Sequence, residues 1–175
     1  MKKLIIVVIS LIVIFTLNNN DEVVIIPKSA IRFRVIASSN NSESQQTKIA
    51  VRDKIQKELY QDLIKTNNIN EARNVINSNL PKYENTVKEA LNNIDSTESY
   101  EINYGLNYFP EKIYKGVKYN EGNYESLVVT LGNGMGNNWW CVLFPPLCLL
   151  EAEETEEKTD VEYKFFIKEL IDKYF

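Results

Sequence analysis

The sequence predicts a single α+β domain: one strand, two helices, several antiparallel strands and a C-terminal amphipathic helix, all behind an N-terminal apolar segment. Three observations lead there. Alternation with a period of two over Ile31–Ala37 and again over Tyr100–Tyr108 marks strands. Between them, apolar residues recur every three or four positions, as helices require. The chain has 175 residues, 44% hydrophobic and 25% charged, which suits one globular domain of ordinary size. The expected organisation is a signal or anchor segment at 1–20, a linker at 21–28, the α+β body at 29–150, an acidic linker at 151–160 and a terminal helix at 161–175.

Taking the elements in order, Lys2 and Lys3 precede an apolar run from Leu4 to Leu17 interrupted only by Ser10 and Thr16. A basic start and a run shorter than the ~20 residues of a full span fit a secretory signal. The following Asn18–Glu22 offers no Ala-x-Ala cleavage site, so cleavage and retention as a tether through residues 4–17 both stay open. The two lysines predict that the rest of the chain is exported. Val23–Ile26, ended by Pro27, reads as a linker or edge strand.

In the first strand, Ile31, Phe33 and Val35 form the apolar face, and Arg32 and Arg34 share the other, which reads as the wet one. Ser38–Asn41 is a turn, and Ser42 with Gln45 reads as a capping box. The helix that follows carries Ile49, Arg52, Ile55, Leu59 and Leu63, widened by Tyr60 and Ile64, and should end near Thr66–Asn68. A second helical stretch begins near Asn70, with Ala72, Val75, Ile76 and Leu80, then Tyr83, Val87, Ala90 and Leu91 beyond Pro81. One kinked helix or two consecutive ones both fit. Asp95–Ser99 is a loop, and the strand after it presents Tyr100, Ile102, Tyr104, Leu106 and Tyr108 on one side. Ile113–Tyr119 is an irregular strand, Glu121–Asn123 a turn, and Ser126–Leu131 a central strand. Past the acidic linker, Val161, Phe165, Phe166, Leu170, Ile171 and Tyr174 form the apolar stripe of the last helix.

Composition excludes several chemistries. With no histidine the chain cannot hold a Ser-His-Asp or Cys-His pair or a His-ligated metal, and two cysteines cannot build a four-Cys zinc site. No catalytic residue, metal or cofactor is expected. The net charge is −4; without Lys2 and Lys3 the remaining 18 basic and 24 acidic residues carry −6, the wrong sign for a general nucleic-acid binder. Gly132-Asn-Gly-Met-Gly136 follows a strand, but Trp139, Trp140, Pro145 and Pro146 come where a phosphate-binding turn needs a helix, so it reads as a glycine turn. Pairs such as Glu121 with Glu125, or Glu153 with Glu154, lack any sign of the cleft that carboxylate catalysis needs and read as solvated charge.

The stretch Asn138–Leu150 holds both tryptophans, both cysteines and two of the five prolines. On the exported side of a membrane, Cys141 and Cys148 are expected to pair. The bridge would close a loop of eight residues, worth about 2–3 kcal/mol by loop-closure entropy. Such a staple suits a rigid recognition loop in which Asn138, Trp139, Trp140, Val142, Leu143, Phe144, Pro145 and Pro146 contact a partner, joined by the Arg32/Arg34 face. The competing account, in which Trp139, Trp140, Val142, Leu143, Phe144 and Leu147 simply fill the core, carries comparable weight on composition alone.

The string Gly132-x-Gly-x-Gly-x-Asn138-Trp-Trp-Cys-Val-Leu-Phe-Pro-Pro-Leu-Cys148 resembles the signature of the stage II sporulation protein R family of endospore-forming Firmicutes. Ile31–Ala37 followed by Glu43, Gln45, Lys48 and Val51-Arg52-Asp53 is similar to the family's N-terminal block, and Tyr104-Gly105, Phe109-Pro110 and Gly122-x-Tyr124-Glu125-x-Leu127 match further segments, so that the likeness covers about 26–150. The resemblance implies an activating ligand, not an enzyme, exported into the space between the forespore and mother-cell membranes. Its implied partner is the membrane-embedded aspartic protease, stage II sporulation protein GA, that removes the pro-sequence of sigma-E. Alternatives from other classes are an exported peptidoglycan-binding module, with the tryptophans as stacking platforms, and a carboxylate-dependent cell-wall hydrolase.

Overall fold

The computed structural model describes residues 24–147 and 159–175. The N-terminal apolar segment, Cys148 and nearly all of the acidic linker lie outside the described residues. The elements run β1 (Val24–Ile25), β2 (Ile31–Ile36), α1 (Ser42–Leu63), α2 (Ile69–Asn92), β3 (Tyr100–Phe109), β4 (Lys112–Tyr114), β5 (Val117–Tyr119), β6 (Gly122–Leu131), β7 (Asn138–Phe144) and α3 (Asp160–Tyr174). The α+β class and the order of strand, two helices, strands and terminal helix are as the sequence predicts.

The main sheet has the order β3-β6-β2-β7 and a smaller one the order β1-β5-β4. The β2–β7, β3–β6 and β4–β5 pairs are antiparallel, but β2 pairs with β6 in parallel, as does β1 with β5. The sheet is therefore mixed: the several antiparallel strands expected from the sequence are present, and β2 adds a parallel pairing with β6. The reason is the long crossover: α1, α2 and β3 intervene between β2 and β6, giving the chain room to return in the same direction.

α1 is capped one residue earlier than the capping-box reading placed it. The Asn41 side chain accepts from the Ser44 amide at 2.8 Å, while Gln45 Nε2 reaches back to the Ser39 carbonyl at 2.8 Å. The buried stripe is Val51, Ile55, Leu59 and Leu63, continued by Ser44, Thr47 and Lys48. Ile49, expected on it, is 43% exposed. α2 is one unbroken helix with Pro81 inside it. That proline faces solvent. Its missing donor therefore costs a surface bond and opens no gap in the core.

The helix pair and one face of the main sheet enclose the larger core, built on Phe33, Val35, Ile55, Leu59, Tyr83, Leu127 and Leu143 among others. On the opposite side a second cluster of Ile26, Val117, Val142, Leu147, Tyr163 and Ile167 joins β7 to the small sheet and α3. The buried side of α3 is Tyr163, Ile167 and Leu170, so the stripe read from the sequence is corrected: Val161 and Phe165 stand 61% and 70% exposed. The irregular strand at 113–119 is a hairpin, β4–β5, whose turn residues Lys115 and Gly116 both have positive φ, as a two-residue hairpin turn requires.

Candidate partner-binding surface

The tryptophan–cysteine string is not a loop. Asn138–Phe144 is β7, an edge strand paired with β2 from Ile36↔Asn138 to Ile31↔Phe144. A strand sends successive side chains to opposite faces. Trp139 accordingly packs edge-on against Phe33 on the helix side, at 5.6 Å between ring centroids, with Arg52 5.4 Å from its ring. Trp140 meets Phe109 edge-on at 5.0 Å on the other side. The two indoles form no common platform.

Of the remaining expected contact residues, Val142, Leu143 and Phe144 are buried in the two cores, and Pro145, Pro146 and Leu147 are buried as well. Phe144 packs on Tyr174 of α3 at 5.0 Å. For these residues the core-filling account describes their position. The register shift at Ile31/Arg32 is what lets Leu143 and Phe144 both reach the larger core. Cys141 is half-buried beside the same core and is not a free thiol; Cys148 lies outside the described residues. Asn138 is half-buried, and its side-chain oxygen has no hydrogen-bond partner.

Arg32 and Arg34 share a face of β2, as alternation demands, but at Arg32 that face is not wet, while Arg34 is half-buried. Arg32 is 2% exposed. The small sheet and α3 cover it, a second layer that no alternation pattern announces. The Arg32 guanidinium lies 3.4 Å from the Tyr124 ring centroid and 5.1 Å from that of Phe109; Arg34 lies 4.9 Å from Phe109 and 5.4 Å from Trp140. Phe109 thus stands between two guanidinium groups in a ladder of cations and rings. Neither arginine pairs with a carboxylate among the described residues. Each makes a long hydrogen bond to a backbone carbonyl, Arg32 to Asn120 and Arg34 to Tyr108, both at 3.4 Å, and Arg32 also has the Tyr124 side chain as a polar partner. The Nε of both is buried without a partner. Burial lowers the pKa of each guanidinium, for Arg32 against the opposing pull of Tyr124 and Tyr119.

Beside this ladder lies a cavity of about 70 Å³ walled by Arg32, Phe109, Tyr114, Tyr119, Trp140 and Tyr163. The sequence reading missed the four tyrosine and phenylalanine positions 109, 114, 119 and 163 because they come from four separate elements. The available signal was parity: Phe109 falls on the opposite side of β3 from Tyr104 and Tyr108.

The glycine turn after β6 clamps the turn before α1. The Met135 amide donates to the Ser38 carbonyl at 3.1 Å, Gly136 to Ala37 at 2.8 Å, and Asn137 to the Asn40 side chain at 2.7 Å. Buried Lys48 closes the arrangement by donating to the Asn137 carbonyl at 3.2 Å. These amides are occupied within the fold, which accounts for the glycines without any phosphate. Of the acid pairs, Glu125 binds Arg73 at 2.8 Å and accepts from the Tyr104 hydroxyl at 2.6 Å, whereas Glu121 sits at the surface beside Tyr108. Glu153 and Glu154 lie outside the described residues.

Residues 27–154 match the profile of the family described as Stage II sporulation protein R. The chain is also 40% identical over 139 residues to the Stage II sporulation protein R of Bacillus subtilis (strain 168), covering 78% of this chain and 62% of that relative. It therefore spans about three-fifths of the length of the curated relative it matches. No solved structure matches. The matched region contains β2, the glycine turn, all of β7 and the arginine–aromatic ladder, and by that match the chain belongs to the stage II sporulation protein R family, a family of sporulation proteins.

Proposed function

We propose that the chain is an exported signalling protein of sporulation that activates the membrane-embedded aspartic protease, stage II sporulation protein GA, which processes pro-sigma-E in the mother cell. It acts as a ligand and not as an enzyme, in the space between the forespore and mother-cell membranes, secreted or held by residues 4–17. The observation that carries this reading is the family match across 27–154. The basic, apolar N-terminal run supports export, and the unpaired arginines beneath an aromatic pocket support recognition of another molecule. Contact is assigned to the rim of that pocket and the exposed edge of β7, with Asn138, Trp139, Trp140, Arg32 and Arg34 forming or backing the surface. The reading includes a Cys141–Cys148 bridge from the middle of β7, in keeping with an exported chain whose Cys141 is not a free thiol.

The decisive experiment is co-expression of the chain with the candidate protease and pro-sigma-E in a host that does not sporulate. Processing that depends on the chain supports the proposal. No processing, with all three proteins present and folded, overturns it.

A further inference from the structure

We infer that the aromatic pocket over Arg32 is a receptor for a carboxylate carried on an apolar stem; on the activator reading above, on which this assignment rests, the partner protein supplies that group as an acidic side chain. A guanidinium that is 2% exposed, with Nε unbonded and only the Asn120 carbonyl at 3.4 Å and the Tyr124 side chain as polar partners, has surrendered its hydration without receiving an anion in return. The Tyr124 side chain and the face of Phe109 offset part of that cost, but neither supplies a negative charge. The planar fork of donors matches a carboxylate in shape and charge.

The walls select the stem. Phe109, Tyr114, Tyr119, Trp140 and Tyr163 present ring surface, and about 70 Å³ holds a group the size of one side chain. Among the described residues the lining reaches the surface, since Tyr114 is 45% exposed and Lys112 faces solvent. A dianionic phosphate would meet one deep cation and a ring-lined throat, and the chain's net charge of −4 repels polyanions. A single carboxylate on an apolar body fits both the charge and the lining.

The test uses the full-length chain and a defined probe, 3-phenylpropionate, compared by calorimetry with its uncharged amide and with inorganic phosphate. The acid should bind at least about tenfold more tightly than the amide, and the preference should shrink as salt is raised. Arg32→Met should abolish the preference. Because that position is buried, Tyr114→Ala serves as a second variant: its exposed ring leaves the core intact, and its loss should weaken acid and amide together by several-fold. Equal binding of acid and amide, tighter binding of phosphate, or a preference that survives Arg32→Met in folded protein would overturn the assignment. Processing of pro-sigma-E is scored separately. Processing without acid binding overturns this inference alone; acid binding without processing overturns the activator reading alone.

Discussion

Trp139 and Trp140 are neighbours in sequence and lie on opposite faces of the main sheet, one against Phe33 and the other against Phe109. Their contributions should therefore be separable. Each Trp→Ala change is expected to cost about 1–3 kcal/mol of half-buried ring packing, and the double variant should come within about 0.5 kcal/mol of the sum. Urea unfolding of the three variants measures this. On the proposed contact face, Trp140→Ala should also lower pro-sigma-E processing at least about fivefold more than Trp139→Ala. Equal losses would shift the contact away from the arginine face.

Arg32 offers a sharper separation of stability from function. A buried cation without a carboxylate is a liability to the fold, and replacing such groups by apolar residues of similar volume is often neutral or stabilising. Arg32→Met should keep the melting temperature within a few degrees of the parent or raise it, while processing falls to background. A large drop in stability with processing retained in the surviving folded fraction would make Arg32 a structural residue.

The two helices and the sheet are linked through tyrosines that resist ionisation. Tyr83 donates to Asp62 between α1 and α2 at 3.0 Å, and Tyr104 donates to Glu125. Burial first, then the adjacent carboxylate, pushes the pKa of Tyr83 upward; Tyr104 is raised in the same way by burial and its bond to Glu125. A raised folded-state value means the stabilisation is complete below the unfolded tyrosine value near 10 and is lost as pH climbs above it. Lys82, raised mainly by its hydrogen bonds to Glu58 and Asp62, works in the same direction. Stability should thus fall above about pH 10. Tyr83→Phe should cost about 1 kcal/mol at neutral pH and flatten that alkaline decline, as followed by chemical denaturation across pH.

The glycine turn makes a packing prediction. A β-carbon at Gly136 would collide with the Ser39 carbonyl, which is backbone and has nowhere to retreat. Gly136→Ala should destabilise by at least about 2 kcal/mol. It should also loosen the Ala37–Asn40 bonds, visible as faster amide exchange at Met135 and Gly136. Unchanged exchange would mean that the turn absorbs the extra carbon.

The proposed bridge is tested by thiol labelling: the full-length chain should take up reagent at Cys141 and Cys148 only after reduction. Reduction should then cost about 2–3 kcal/mol. Labelling of the unreduced chain would remove the bridge from the proposal.

Elements with a clear period were legible in the sequence. β3 alternates from Tyr100 to Tyr108, and α1 and α2 carry stripes long enough to survive a misplaced Ile49 or an internal Pro81. β7 was read as a loop because Asn-Trp-Trp-Cys-Val-Leu-Phe shows no alternation. The strand packs against a core on each side, Leu143 on one and Val142 on the other, and a strand of that kind reads as a continuous apolar run. The same second layer hid the state of Arg32 and Arg34. Their parity was right, but whether that face meets water depends on β1, β5 and α3, which lie far away in sequence. α3 misled in the opposite way, since exposed Val161 and Phe165 look like core until Tyr163 and Ile167 are seen underneath.

The position of β2 carries one more consequence. It is the second strand made, yet its partners are β6 and β7, which begin at Gly122 and Asn138. The helical pair and the antiparallel β3–β6 pair can form early from nearby segments, but the middle of the sheet must wait for almost the whole domain. A chain passed through a translocation pore from its N-terminus cannot complete this fold before residue 144 has emerged. On the export proposed above, that long wait keeps the chain threadable during transit, and β7, the last strand of the main sheet, closes it afterwards.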